Sequence, residues 1–338
     1  MTAATWLQSV WYLLIGVLLA GYSILDGFDL GLGFLFPFLA GDENEKRELL
    51  RSIGPVWDGN EVWLLAGGAA LFAAFPQAYA TVFSGFYLAL MLILFSLVLR
   101  AVSLEFRAHS GSDRSRGFWD TILAVSSVLP SFLFGVALGN VVIGVPLDAR
   151  MEYAGSFFTL LRPLPLVLGL LGLAAFALQG STWAALKTTG SLQEKARRVV
   201  RMSSALFGVL FLLSFAAVGL GFPLARRPAP AWTFGVFVLL SLAGLSLSIT
   251  KKRDGWAFAF SSAAFLGLWG IIGAIHYPNL VRAADPALSL TLANSSSSPL
   301  TLKVMFFIAL IGLPLVIGYT VFAYRVFKGK ARPDGEGY

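Results

Sequence analysis

Residues 24–34 read ILDGFDLGLGF, and they lie inside a run that is otherwise apolar from Trp6 to Leu39. At about 1.5 Å per residue, such a run is long enough to cross a hydrocarbon layer of about 30 Å. Asp26 and Asp29 interrupt it, although an acid at the centre of a membrane helix costs about 2.5–3.5 kcal/mol on insertion scales. The stretch therefore reads as a membrane helix whose acids face protein or water.

The rest of the chain agrees. Of 338 residues, 57% are hydrophobic and 13% charged, and the mean hydropathy is +0.77. Soluble domains carry about a quarter charged residues, so a soluble class is excluded. Cysteine is absent, which removes disulfides, thiolate metal sites and cysteine nucleophiles. The net charge of +7 reads as loop bias in a membrane protein, not as a nucleic-acid footprint. The N-terminal MTAAT has no basic n-region, and the apolar run after it exceeds a signal-peptide core, so it reads as a retained first helix.

Hydropathy divides the chain into nine expected spans: 7–38, 53–75, 78–99, 118–145, 158–186, 202–223, 229–250, 255–277 and 303–327. The break between the second and third rests on Phe75-Pro76-Gln77. The first span should tilt or bend near Gly31, Gly33 and Pro37. With nine spans, nineteen of the twenty-five Lys and Arg fall on one side. The other side receives Arg150, Arg162, Arg226, Arg227, Arg282 and Lys303. This puts the N-terminus outside (periplasmic) and the C-terminus in the cytoplasm. The outer loop at about 278–302 contains ANSSSSP, a flexible surface stretch by composition.

Charge inside the spans carries the chemistry. Asp29 follows Asp26 at i+3, and the second span opens with SIGPVWDGNEVW, where Asp58 and Glu61 repeat that spacing. Arg100 should end the third span, followed by Glu105 and Arg107. All are expected at the cytoplasmic edge of the hydrocarbon. Buried, crowded carboxylates favour their protonated form, which suits loading and release of protons. The competing reading is structural, with the acids paired to Arg47, Arg51 or Arg100. Gly27 with Gly31, and Gly135 with Gly139, are small-residue pairs that let helices approach closely. His109 sits in the polar loop RAHSGSDRSRG and His276 at the outer end of the eighth span, where it reads as interfacial. Neither suits a haem ligand, so no cofactor is expected on this chain and any redox centre belongs to another subunit. Residues alone leave a proton-coupled secondary transporter as the alternative.

DGFDLGLGF (26–34), GPVWDGNEVWLLAGGAALFAAFPQAYATVFSGFY (54–87), LRAVSLEFR (99–107) and GVALGNVVIGVP (135–146) resemble subunit II of the cytochrome bd-type quinol oxidases, including the cyanide-insensitive branch. The likeness is specific over 21–107 and 135–146, and beyond about 150 it rests on helix count. It implies an all-α integral membrane fold of nine helices: a four-helix bundle over 1–146, a second over 147–277, and a peripheral ninth helix in 278–338. It implies an obligate partner in the bacterial inner membrane, subunit I, with two haems b and haem d. Together they would oxidise quinol and reduce dioxygen to water, drawing protons from the cytoplasm. A small accessory subunit and a structural quinone belong to some members. The aspartate of the WDGN motif, here Asp58, is implied in a proton channel at the subunit interface. Asp29 and Glu105 are implied nearby, and Trp63 beside a dioxygen tunnel; Asp26, Glu61 and Arg100 join the candidate proton path on spacing and depth alone. Glu61 departs from the neutral Gln of the family pattern, and two carboxyls one turn apart titrate as a pair.

Overall fold

A computed structural model describes residues 5–221 and 229–331. Arg226, Arg227 and Arg332, counted in the charge partition, lie outside the described residues. Eight helices among the described residues are long and apolar enough to cross a membrane. They are α1 (Trp6–Leu39), α5 (Tyr87–Ala108), α6 (Asp113–Ile143), α7 (Pro163–Lys187), α8 (Gly190–Gly221), α9 (Ala229–Thr250), α10 (Asp254–His276) and α12 (Pro299–Val326). The expected second span is helical too, as α3 (Trp57–Ala74), but its first turns carry Asp58, Asn60 and Glu61 and lower its hydropathy. It runs antiparallel to α1, with Asn60 beside Asp29, Trp63 over Gly21 and Gly67 against Leu19.

Several boundaries differ from expectation. The expected third span is split into α4 (Pro76–Gly85) and α5, with the break at Phe86. Helix α5 then continues to Ala108, so Arg100 lies well inside it and does not end it. Helix α8 starts at Gly190 where the sixth span was expected at 202, because charged residues there extend the helix beyond the apolar core. A short helix between the first two spans, α2 (Glu43–Ile53), was not anticipated. Asp42 caps it, accepting from the Glu45 amide at 2.9 Å, and it buries Leu49 and Ile53.

Glycine decides how α1 meets its neighbours. A Cβ on Gly31 would stand 1.8 Å from the Phe176 carbonyl oxygen, and one on Gly180 2.4 Å from the Leu32 nitrogen. Helices α1 and α7 therefore cross backbone to backbone, the small-residue packing expected of this stretch. Gly135 does the same against Leu168 on α7. Helix α1 stays helical through Gly31, Gly33 and Pro37. It also packs on α3, α6 and α10, whereas α12 rests on α1 and α3 and is otherwise exposed.

The loop from 278 is not a free surface stretch. It forms a two-stranded ribbon, β1 (Asn279–Val281) with β2 (Leu290–Thr291), and a single turn, α11 (Leu292–Ser295). Ser297 donates from its amide to the Ala74 carbonyl at 2.9 Å and from its hydroxyl to Ala73 at 2.6 Å. Those carbonyls end α3 and have no partner within the helix, which is why serines are held there. His276, expected at the interface, is 3% exposed. The chain after it folds back as β1–β2 and does not leave into solvent.

Candidate functional site: a buried carboxylate cluster around Arg100

Three helices supply the centre of the site. Asp26 and Asp29 are fully buried on one face of α1, Glu61 is partly buried one turn into α3, and Arg100 is 1% exposed on α5. Arg100 Nη2 donates to Asp26 Oδ1 at 2.6 Å and also to Glu61 Oε1. One guanidinium thus ties α1, α3 and α5 together. Asp29 is held differently. Asn60 Nδ2 donates to Asp29 Oδ2 at 2.7 Å, and Tyr324 Oη on α12 donates to Asn60 Oδ1 at 2.9 Å. Helix α12 therefore reaches the cluster through one amide.

Three carboxylates face one guanidinium, so one positive charge cannot neutralise them all. Burial makes the imbalance costly, since charges in a low-dielectric interior need partners. Polar atoms also remain unmatched among the described residues: Tyr22 Oη, Asp26 Oδ2, Asp29 Oδ1, and Arg100 Nε and Nη1. Most buried polar atoms find a partner, so unmatched ones gathered in one place mark a site able to take up further polar groups such as water.

The remaining residues expected at the site fall outside this centre. Asp58 is exposed on the first turn of α3, one helical turn from Glu61. Glu105 is half-buried five residues beyond Arg100, and among the described residues only its backbone carbonyl is engaged, by His109 at 2.9 Å. Trp63 packs with Leu18 and Tyr22 and fills the notch that Gly21 leaves. Sequence reasoning missed Tyr22 and Tyr324. Tyr22 stands four residues before Asp26, on the same helical face, and that spacing could have pointed to it. Nothing local to the ninth span singles out Tyr324.

A second ionic network lies toward α2. Arg107 donates to Asp120 and to Glu43 (3.0 Å), and Lys46 reaches Asp120 at 2.7 Å. Burial pushes the Glu45 carboxyl up, but hydrogen bonds from Lys195 (2.6 Å), the Gly41 amide (2.6 Å) and Ser191 (2.8 Å) outweigh it. They hold Glu45 below the ordinary carboxylate range. Among the described residues, no three His, Cys, Asp or Glu side chains are grouped to hold a metal ion.

Fold and site together define a polytopic helical membrane protein with an ionisable cluster inside its helices. The chain matches the family described as cytochrome bd terminal oxidase subunit II over residues 7–327, and it belongs to that family. It is 34% identical to cytochrome bd-I ubiquinol oxidase subunit 2 of Escherichia coli (strain K12), covering 96% of this chain and 95% of that one. It is 35% identical to cytochrome bd ubiquinol oxidase subunit 2 of Bacillus subtilis (strain 168), covering 95% and 96%. The bd oxidase structure from Geobacillus thermodenitrificans shares the fold, with a TM-score of 0.80 and 18% identity over 96% of this chain and 99% of that one. The chain is thus an integral inner-membrane subunit of a bd-type terminal oxidase, an oxidoreductase whose complex contains subunit I and haem. Family membership sets aside the secondary-transporter reading, which rested on the same buried acids.

Proposed function

We propose that this chain is the non-haem subunit of a quinol-oxidising, dioxygen-reducing complex, and that its carboxylates take up protons for water formation. The observation that carries the reading is the Asp26–Arg100–Glu61 cluster, with Asp29 linked to it through the same face of α1. More carboxylates than cations, and unmatched polar atoms beside them, suit a hydrated group that exchanges protons. Asp58, exposed on α3, would admit protons at the contact with subunit I and pass them to Glu61 one turn away. Glu105 would lie at the approach, and Trp63 would border a dioxygen route.

The finer architecture follows the same proposal. Counting α3 gives nine spans, with α1, α3, α5 and α6 as one bundle, α7 to α10 as the other, and α12 peripheral. The N-terminus is outside, supported by the crowding of Lys and Arg at the α2 end of the helices. Both haems b and haem d are assigned to subunit I, supported by the poor ligand supply here: two histidines, of which His109 is exposed. A second reading also has an observation behind it. Arg100 bridges three helices, so the acids could serve assembly alone.

Quinol-dependent oxygen uptake by the intact complex separates the two. Asp58→Asn and Glu61→Gln should each slow turnover about tenfold or more while haem content is retained, the usual scale for loss of a proton-transfer group. Full turnover in both variants, with haem intact, leaves only the assembly role.

A further inference from the structure

A pocket of about 260 Å³ opens at the α2 end of the helices, apart from the carboxylate cluster. Arg47 and Arg51 of α2, Arg107 of α5 and Arg116 of α6 line it, with Glu43 the only acid on its wall. Arg47 and Arg107 pair with Glu43, Arg107 also with Asp120, Arg116 with Asp113, and Arg51 is engaged as well, so the wall itself carries four arginines and one acid. Arg116 Nε is buried without a partner among the described residues, and Arg47 keeps one looser contact, 3.5 Å to Glu43. The lining also includes the apolar side chains of Leu50, Trp57 and Leu104.

We propose that this pocket binds a phosphate-bearing anion, with guanidinium groups on the phosphate and Trp57 and the leucines against carbon. Planar guanidinium forks match phosphate oxygens two at a time, which isolated ammonium groups do not. Four arginines and three large apolar side chains in one lining suit a headgroup joined to hydrocarbon. The site lies at the level where α2 leaves the spans, the inner leaflet in the orientation proposed above. Anionic phospholipid is the source that both features describe, and inorganic phosphate shares only the first. The bound anion would sit beside Asp58, the residue after Trp57.

The test uses the complete complex, stripped of lipid in detergent and titrated with phosphatidylglycerol or phosphatidylcholine, with bound lipid counted by native mass spectrometry. Arg47→Gln combined with Arg116→Gln should weaken phosphatidylglycerol binding about tenfold or more, since each basic residue adds a separate attraction to anionic lipid. Phosphatidylcholine binding should be unchanged. Arg150→Gln, an exposed arginine at the other end of the molecule, should behave as wild type. Equal phosphatidylglycerol binding by wild type and the double variant overturns the proposal, as does an equal loss in Arg150→Gln. If inorganic phosphate displaces the lipid as readily as phosphatidylglycerol itself does, the anion site stands and the lipid source falls. If the double variant does not assemble, Arg47→Gln alone carries the same comparison, because that side chain is half-exposed.

Discussion

Arg100 and Asp26 are 74 positions apart in the chain and meet at 2.6 Å with both side chains buried. Neither is intelligible alone: an arginine inside α5 and an aspartate inside α1 are each costly in hydrocarbon. Together they form a pair, and Glu61 makes it a triad. Such a triad is weak evidence of net stabilisation, because desolvation offsets attraction, yet removing one member leaves an uncompensated charge.

Arg100→Leu should therefore be far more damaging than loss of a single acid. It leaves Asp26, Asp29 and Glu61 buried without a cation and should cost about 3–5 kcal/mol. Haem bound per purified complex and the thermal midpoint are the readouts. Wild-type assembly in this variant would show that the guanidinium is not what holds α1, α3 and α5 together.

Tyr324→Phe removes the hydroxyl that donates to Asn60 and leaves the ring in place. Stability should fall by about 1 kcal/mol, the ordinary net worth of one hydrogen bond. If Asn60 orients Asp29 for proton transfer, oxygen uptake should also fall several-fold. Reduced turnover with an unchanged melting temperature would assign Tyr324 to positioning, and loss of both in step would assign it to packing.

Gly31→Ala tests the crossing of α1 and α7. The added methyl would overlap the Phe176 carbonyl, and backbone cannot move aside as a side-chain tip can. A loss of about 3 kcal/mol or more is expected, seen as a lower thermal midpoint or failure to assemble. Gly16→Ala, where nothing lies within 4 Å of the added carbon, should be silent.

Glu45 gives a pH signature outside the spans. Its carboxyl is held below the ordinary range by Lys195, Gly41 and Ser191, so its contribution is complete above the unfolded carboxylate range. It is lost as pH falls through the lower folded value. Glu45→Gln should therefore lower the melting temperature at neutral pH, and the gap from wild type should close on acidification. A gap that persists unchanged at acid pH would show that charge is not the source.

Much of the fold could be read along the chain because hydrocarbon imposes a length and a composition on each span. Eight of the expected spans recur as helices within a few residues at one or both ends. The third span and the α2 segment show where this stops. Hydropathy could not see the break at Phe86 inside one apolar run, nor that Asp42 caps a short helix whose charged face hides Leu49 and Ile53. The serine run misled for a related reason: composition called it a free loop, but the carbonyls it satisfies belong to α3, more than two hundred positions earlier.

By itself the sequence determined that this is a membrane protein with acids at one level of its first two spans, because apolar length and i, i+3 spacing are local properties. It also placed Gly31 and Gly135 as points of close helix approach. Which acid meets which base was decided only in three dimensions. Asp26 and Glu61 took Arg100, Asp29 took Asn60, and Asp58 was left outward, since pairing depends on how α1, α3, α5 and α12 rotate against one another. Helix rotation follows from backbone contacts such as Gly31 on Phe176, and no residue's own neighbours in sequence encode it.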